Sequence, residues 1–110
     1  VRSPHAAVWL NAEEAHIYRF GAGEVEKRDV KADGSGHLRD DRAYFEAILA
    51  ELTEVQGWMI AGPTGPLKDF EKYVRAGHAE ELGRKLRGVE AMDHPRDGEL
   101  LRQARRRLMF

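Results

Sequence analysis

Gly57–Phe70, GWMIAGPTGPLKDF, carries the most continuous apolar run in the chain, Trp58-Met59-Ile60-Ala61. Four apolar residues bounded by glycines are too few for a helix and too continuous for a strand with one wet face. They read as a strand buried on both faces, as in a parallel or mixed sheet. Gly62-Pro63-Thr64-Gly65-Pro66 then breaks the strand. Leu67, Phe70 and Val74 follow at helical spacing, and Pro66 suits a first helical position, where the N–H it lacks has no partner anyway. Strand, Gly/Pro turn and helix make half of a βαβ unit. The rest of the chain has to cover this strand.

Outward from that stretch, His5–Leu10 (HAAVWL) reads as a second buried strand. Asn11-Ala12-Glu13-Glu14 is a polar connection led by a turn-forming Asn. Ala15–Phe20 (AHIYRF) alternates Ala15, Ile17 and Arg19 against His16, Tyr18 and Phe20, and its β-branched and aromatic content supports a strand. The two strands predict a hairpin. Glu24–Val30 is weakly apolar and reads as a charged edge strand, with a loop from Lys31 to Asp41 after it. Asp40 or Asp41 can cap the next helix, predicted over Arg42–Val55 with the stripe Tyr44, Phe45, Ile48, Leu49, Leu52 and Val55. Gly77 suits a left-handed cap for a helix over Pro66–Ala76. A short helix over His78–Arg87, ended by Gly88, a strand at Val89–Met92 and a helix from Asp97 striped by Leu100, Leu101, Ala104 and Leu108 complete the chain. The order β-β-β-α-β-α-β-α predicts one α/β domain over residues 1–110. It has three layers: a mixed five-stranded sheet with a leading meander, right-handed βα crossovers, and helices on its faces.

The bulk numbers exclude several classes. At 110 residues the chain builds one core and not two. Eighteen Lys+Arg against nineteen Asp+Glu give a net charge of −1, so any nucleic-acid surface must come from local clustering. There is no cysteine, hence no disulfide, thiolate nucleophile or cysteine-based zinc site, which fits a reducing cytoplasm. No apolar run approaches a membrane span, and no signal-peptide pattern is visible.

Motifs for catalysis are sparse. Ribonuclease H-like nucleases share this strand order and need a first-strand carboxylate for magnesium; Val8-Trp9-Leu10 carries none. His5, His16, His37, His78 and His94 show no metal-ligand spacing, so neither metal nor cofactor is expected. Asp93 beside His94 could orient an imidazole, but Ser3 and Ser35, the only serines, lie in no nucleophile elbow. Gly62–Pro66 lacks the GK[ST] ending of a phosphate loop, and its prolines remove two donors; it reads as a rigid corner. Arg102 with Arg105, Arg106 and Arg107, and Arg84, Lys85 and Arg87, form local basic faces able to meet RNA phosphates.

HAAVWLNAEEAHIYRF (5–20), AGPTGPLKDF (61–70) and VEAMDHPRDGELLRQAR (89–105) together carry a resemblance. The chain resembles bacterial translational machinery proteins, which are similar to the middle domain of archaeal and eukaryotic class 1 release factors and of Pelota, in the fold group of ribosomal proteins S11 and L18. In release factors of this kind, the loop between third strand and first helix carries Gly-Gly-Gln, which helps water hydrolyse peptidyl-tRNA. Here it reads Gly34-Ser35-Gly36-His37. Gly34 matches the first glycine, Ser35 and His37 depart from the pattern, and no Gln is present. Pelota-type domains lack the motif too and act by binding. The resemblance therefore implies a cytoplasmic, non-enzymatic domain that binds the ribosome or structured RNA. Lys31, the Gly34–His37 loop, Arg39, Arg102, Arg105, Arg106 and Arg107 are the expected contacts. The alternatives are a hydrolase using His94 with Asp93, or His37, and a protein-interaction adaptor that homodimerises.

Overall fold

The computed structural model describes residues 5–21, 25–32, 41–52, 55–92 and 97–108. Strands β1 (His5–Leu10) and β2 (Glu14–Phe20) form the expected hairpin, in register from His5↔Phe20 to Leu10↔Ala15. Asn11 makes the turn: its Oδ1 accepts the backbone N–H groups of Glu13 and Glu14, both at 2.8 Å. A short polar side chain can satisfy two amides that the reversal would otherwise leave open. β3 (Val25–Lys31) pairs antiparallel with β2. Helix α1 (Asp41–Ala50) crosses to β4 (Gly57–Gly62), which lies parallel to β1. Helix α2 (Thr64–Gly77) and a π-helical turn (Ala79–Gly83) lead to β5 (Leu86–Ala91), parallel to β4, and α3 (Asp97–Leu108) follows. The sheet order is β3-β2-β1-β4-β5, the mixed five-stranded α/β sheet that the element order predicts.

Strand alternation divides the core into two layers. Ala6, Val8, Leu10, Ala15, Ile17, Trp58 and Ile60 face the helices α1 and α2, meeting Phe45, Ile48, Leu52, Leu67, Phe70 and Val74. Ala7, Trp9, Tyr18, Phe20, Met59 and Ala61 face α3 through Leu100 and Ala104. All six residues of β4 are buried, so the opening stretch is indeed covered on both faces. The Trp9 indole N–H donates to the Met92 carbonyl at 3.1 Å, placing the start of α3 near the carboxyl end of β1. The Arg105 guanidinium lies over Phe20, which pairs with His5, so α3 runs back toward the amino end of β1.

Several boundaries differ from the sequence expectation, each for a physical reason. α1 ends at Ala50, not Val55: Glu51, Leu52 and Val55 donate to Ile48, Leu49 and Leu52 in three-residue turns, which keep Leu52 and Val55 buried without further helix. α2 starts at Thr64, so Pro66 is its third residue and Pro63, in an extended conformation, is the cap. Pro66 is still tolerated, because the first four helical N–H groups have no intrahelical acceptor. Gly77 ends α2 without a left-handed conformation, and the His78 N–H instead returns to the Val74 carbonyl at 2.7 Å. The predicted helix over His78–Arg87 is a π-helical turn, closed by Gly83 N–H to His78 O at 2.9 Å, then a strand already under way at Leu86. Gly88 lies inside that strand beside a bulge: Leu86 pairs with Trp58 and Gly88 with Met59, leaving Arg87 extra. Lys31 belongs to β3, opposite Glu14, rather than to the loop. The capping of α1 by Asp40 or Asp41 and the Asp93-His94-Pro95 turn fall outside the described residues.

Candidate nucleic-acid interface

The loop singled out by its glycines leaves the sheet at the β1–β2 turn. The Ala32 N–H donates to the Glu13 carbonyl at 2.8 Å, tying the end of β3 to that turn. On the return side, the Tyr44 hydroxyl of α1 donates to the Asn11 carbonyl at 3.0 Å. Both stems of the 33–40 segment are thus anchored on one three-residue reversal. Gly34, Ser35, Gly36, His37 and Arg39 themselves lie outside the described residues. So do Asp93 and His94.

The basic residues do not gather at that loop. Lys31 is exposed at the carboxyl end of β3, next to it. Arg102, Arg105 and Arg106 are exposed on α3. Arg107 is in the same helix, but its side chain lies outside the described residues. Arg105 stands 6.0 Å from the centroid of Phe20. Phe20 pairs with Val25, at the far end of β3 from Lys31. Seven strand residues span about 20 Å, so Lys31 and Arg105 mark opposite ends of the sheet.

Three further groups appear only once the register is known. Lys27, opposite Tyr18, holds its ammonium 5.7 Å from that ring. His16 stacks on Trp9 with ring centroids 5.7 Å apart, and its Nδ1 lies 2.7 Å from Asp29 Oδ1. On the opposite surface, Glu46 of α1 receives the Tyr73 hydroxyl and lies 2.9 Å from His78 Nε2. Among the described residues no cluster of three or more His, Asp or Glu groups could hold a metal ion. Among the described residues no helix is long and apolar enough to cross a membrane.

No protein-family model matches the sequence, and no curated protein matches it. Solved structures do. Pelota from Archaeoglobus fulgidus superposes with a TM-score of 0.70 at 15% identity, over 98% of this chain and 32% of that one. The release-factor-like fold is shown. Pelota from Thermoplasma acidophilum gives 0.69 at 20% identity over 89% of this chain and 30% of that one. The archaeal translation termination factor aRF1 gives 0.56 at 16% identity, over 91% and 32%. The chain therefore spans about a third of the length of the proteins it matches. These neighbours support the release-factor-like part of the sequence resemblance; being archaeal, they lend nothing to its bacterial part.

Sequence reasoning treated the β3 charges only as edge protection and left His16 and His78 unassigned. A period-2 reading of Val25-Glu26-Lys27-Arg28-Asp29 puts Lys27 and Asp29 on one face. It does not say which β2 residues they meet; that needs the pairing register.

The polar pairs make an acid-labile surface within the release-factor-like fold. The hydrogen bond from His16 holds Asp29 below its ordinary 3.8, and bonds from Tyr73 and His78 hold Glu46 below its ordinary 4.5. For both carboxyls the unfolded state binds a proton more readily, so their stabilisation is present above those ordinary values and is lost as pH falls through the lowered ones. His5 is held below 6.5, by burial first and by Arg87 second. Folding thus opposes its protonation, so stability rises with pH up to about its unfolded value and declines below it. Thermal melts from pH 8 to 3 should show a first decline below about pH 6.5 and a second below about pH 4. The first should vanish in His5→Gln and the second shrink in Asp29→Asn with Glu46→Gln. Unchanged melting between pH 8 and 5 would count against the His5 assignment.

Proposed function

We propose that this chain is a bacterial, cytoplasmic relative of translation termination-like factors, a single binding domain over residues 1–110 that acts without catalysis at the ribosome or on structured RNA. The observation that carries this reading is the likeness to Pelota over 98% of the chain. The absence of Gln from the Gly34–His37 loop argues for binding rather than peptidyl-tRNA hydrolysis. Lys31 with the Gly34–Arg39 loop forms one contact region, and Arg102, Arg105, Arg106 and Arg107 another. β3, at the sheet edge, is where a second copy would pair.

Sedimentation tests the reading. Tagged protein in a low-salt lysate should travel with ribosomal fractions through a sucrose gradient and move to the top after nuclease and high salt, which screens phosphate contacts. Protein that stays at the top at low salt, from stressed and unstressed cells alike, removes the ribosomal reading.

A further inference from the structure

We infer that the seam between β3 and α3 is a phosphate-tracking surface for RNA, distinct from the 33–40 loop and built on a ridge of aromatic side chains. This deepens the RNA reading above and rests on it. On the α3 side of the sheet, β2 presents His16, Tyr18 and Phe20, and β3 pairs Asp29, Lys27 and Val25 with them in that order. Tyr18 and Phe20 are buried beneath cations: Lys27 lies over the first ring and Arg105 over the second. The quadrupole of each ring attracts the cation above it and keeps the aliphatic stem flat on the ridge. Two positive groups are thus held at the surface before any ligand arrives, which lowers the ordering cost of binding.

α3 adds further cations. Arg102 and Arg106, four residues apart on α3, are exposed like Arg105. Among the described residues neither they nor Arg105 forms an ion pair. On this face of β3 the one carboxylate is Asp29, and it is engaged by His16 at 2.7 Å. The chain as a whole carries a net charge of −1, so its surface is not generally basic. Cations held over buried aromatic rings fit a sugar–phosphate backbone, whose contacts position without specifying sequence.

Each phosphate neutralised releases condensed counterions, so the salt dependence of binding counts the contacts. The test is fluorescence anisotropy with a labelled RNA hairpin of about 16 base pairs, between about 50 and 200 mM KCl. Lys27→Gln with Arg105→Gln should weaken binding at least tenfold near 100 mM KCl and reduce the magnitude of the log–log salt slope by about 2, roughly 1 per lost contact. Val25→Lys, which adds charge to the same face at a position already 43% exposed, should raise it by about 1. Lys72→Gln, the loss of one positive charge on exposed α2, should leave it unchanged. Melting curves for each variant confirm folding, and the Val25→Lys gain does not depend on removing any contact. Equal weakening by Lys72→Gln and the seam variants, or a flat response to all, overturns the seam while leaving RNA binding standing. No binding by the unaltered protein overturns the RNA reading and the seam with it.

Discussion

Gly62→Ala is expected to destabilise the fold by roughly 2–6 kcal/mol, a large part of what a small domain has. Gly62 ends β4 at φ 153°, a conformation that side chains rarely adopt. A Cβ there would stand 2.1 Å from the Leu10 carbonyl oxygen and 3.2 Å from its carbon. Both are backbone atoms of the central strand, so no side chain can rotate away to relieve the collision. The Gly62 carbonyl also accepts the Met92 N–H at 2.9 Å, so a shift at this corner would pull on the end of β5 as well. Urea denaturation should place the midpoint well below that of the parent, with melting lower by about 10 °C or more. A loss under about 1 kcal/mol would show that the corner relaxes and that the close approach is not structural.

Trp58→Ala should cost about 3–5 kcal/mol through the cavity it leaves, with more from the lost indole hydrogen bond. Trp58 is fully buried, meets Phe70 edge-on at 6.1 Å, and donates its indole N–H to the Leu82 carbonyl at 2.8 Å. That bond ties β4 to the π-helical turn. Trp58→Phe separates the two contributions: most of the apolar volume stays, while the Leu82 carbonyl loses the indole donor and keeps only the Arg84 N–H, for about 1 kcal/mol. Amide exchange supplies an independent reading. Gly83, whose N–H closes the turn on His78, should exchange faster in Trp58→Phe than in the parent, while β1 amides near Val8 should change little. Equal stability of Trp58→Phe and the parent would mean that water replaces the indole at Leu82.

The strands and the main helices were legible because their apolar residues recur at the right period. Trp58–Ala61 needed two covered faces, and has them. Tyr44, Phe45, Ile48 and Leu49 needed one covered stripe, and have it. What misled was local chemistry that tertiary packing overrode. Leu52 and Val55 keep the stripe going after the helix has stopped, because a tightened turn buries them equally well. Gly88 read as the end of a helix, but it sits inside a strand beside a bulge. Of the site, the sequence offered the arginines of α3 as a list and Lys27 as no more than an edge charge.

Residue periodicity alone determined that this is a mixed α/β sheet with a doubly buried strand, and that its last helix is basic. Burial acts along the chain at fixed spacings, so it can be read there. Only the tertiary structure decided that Gly62 must be glycine, since Leu10, which excludes a side chain there, is fifty-two residues away. It likewise set Lys27 over Tyr18 and Arg105 over Phe20, and placed Lys31 and Arg105 at opposite ends of the sheet. Charge interactions depend on distance through space, and strand register and helix direction set that distance.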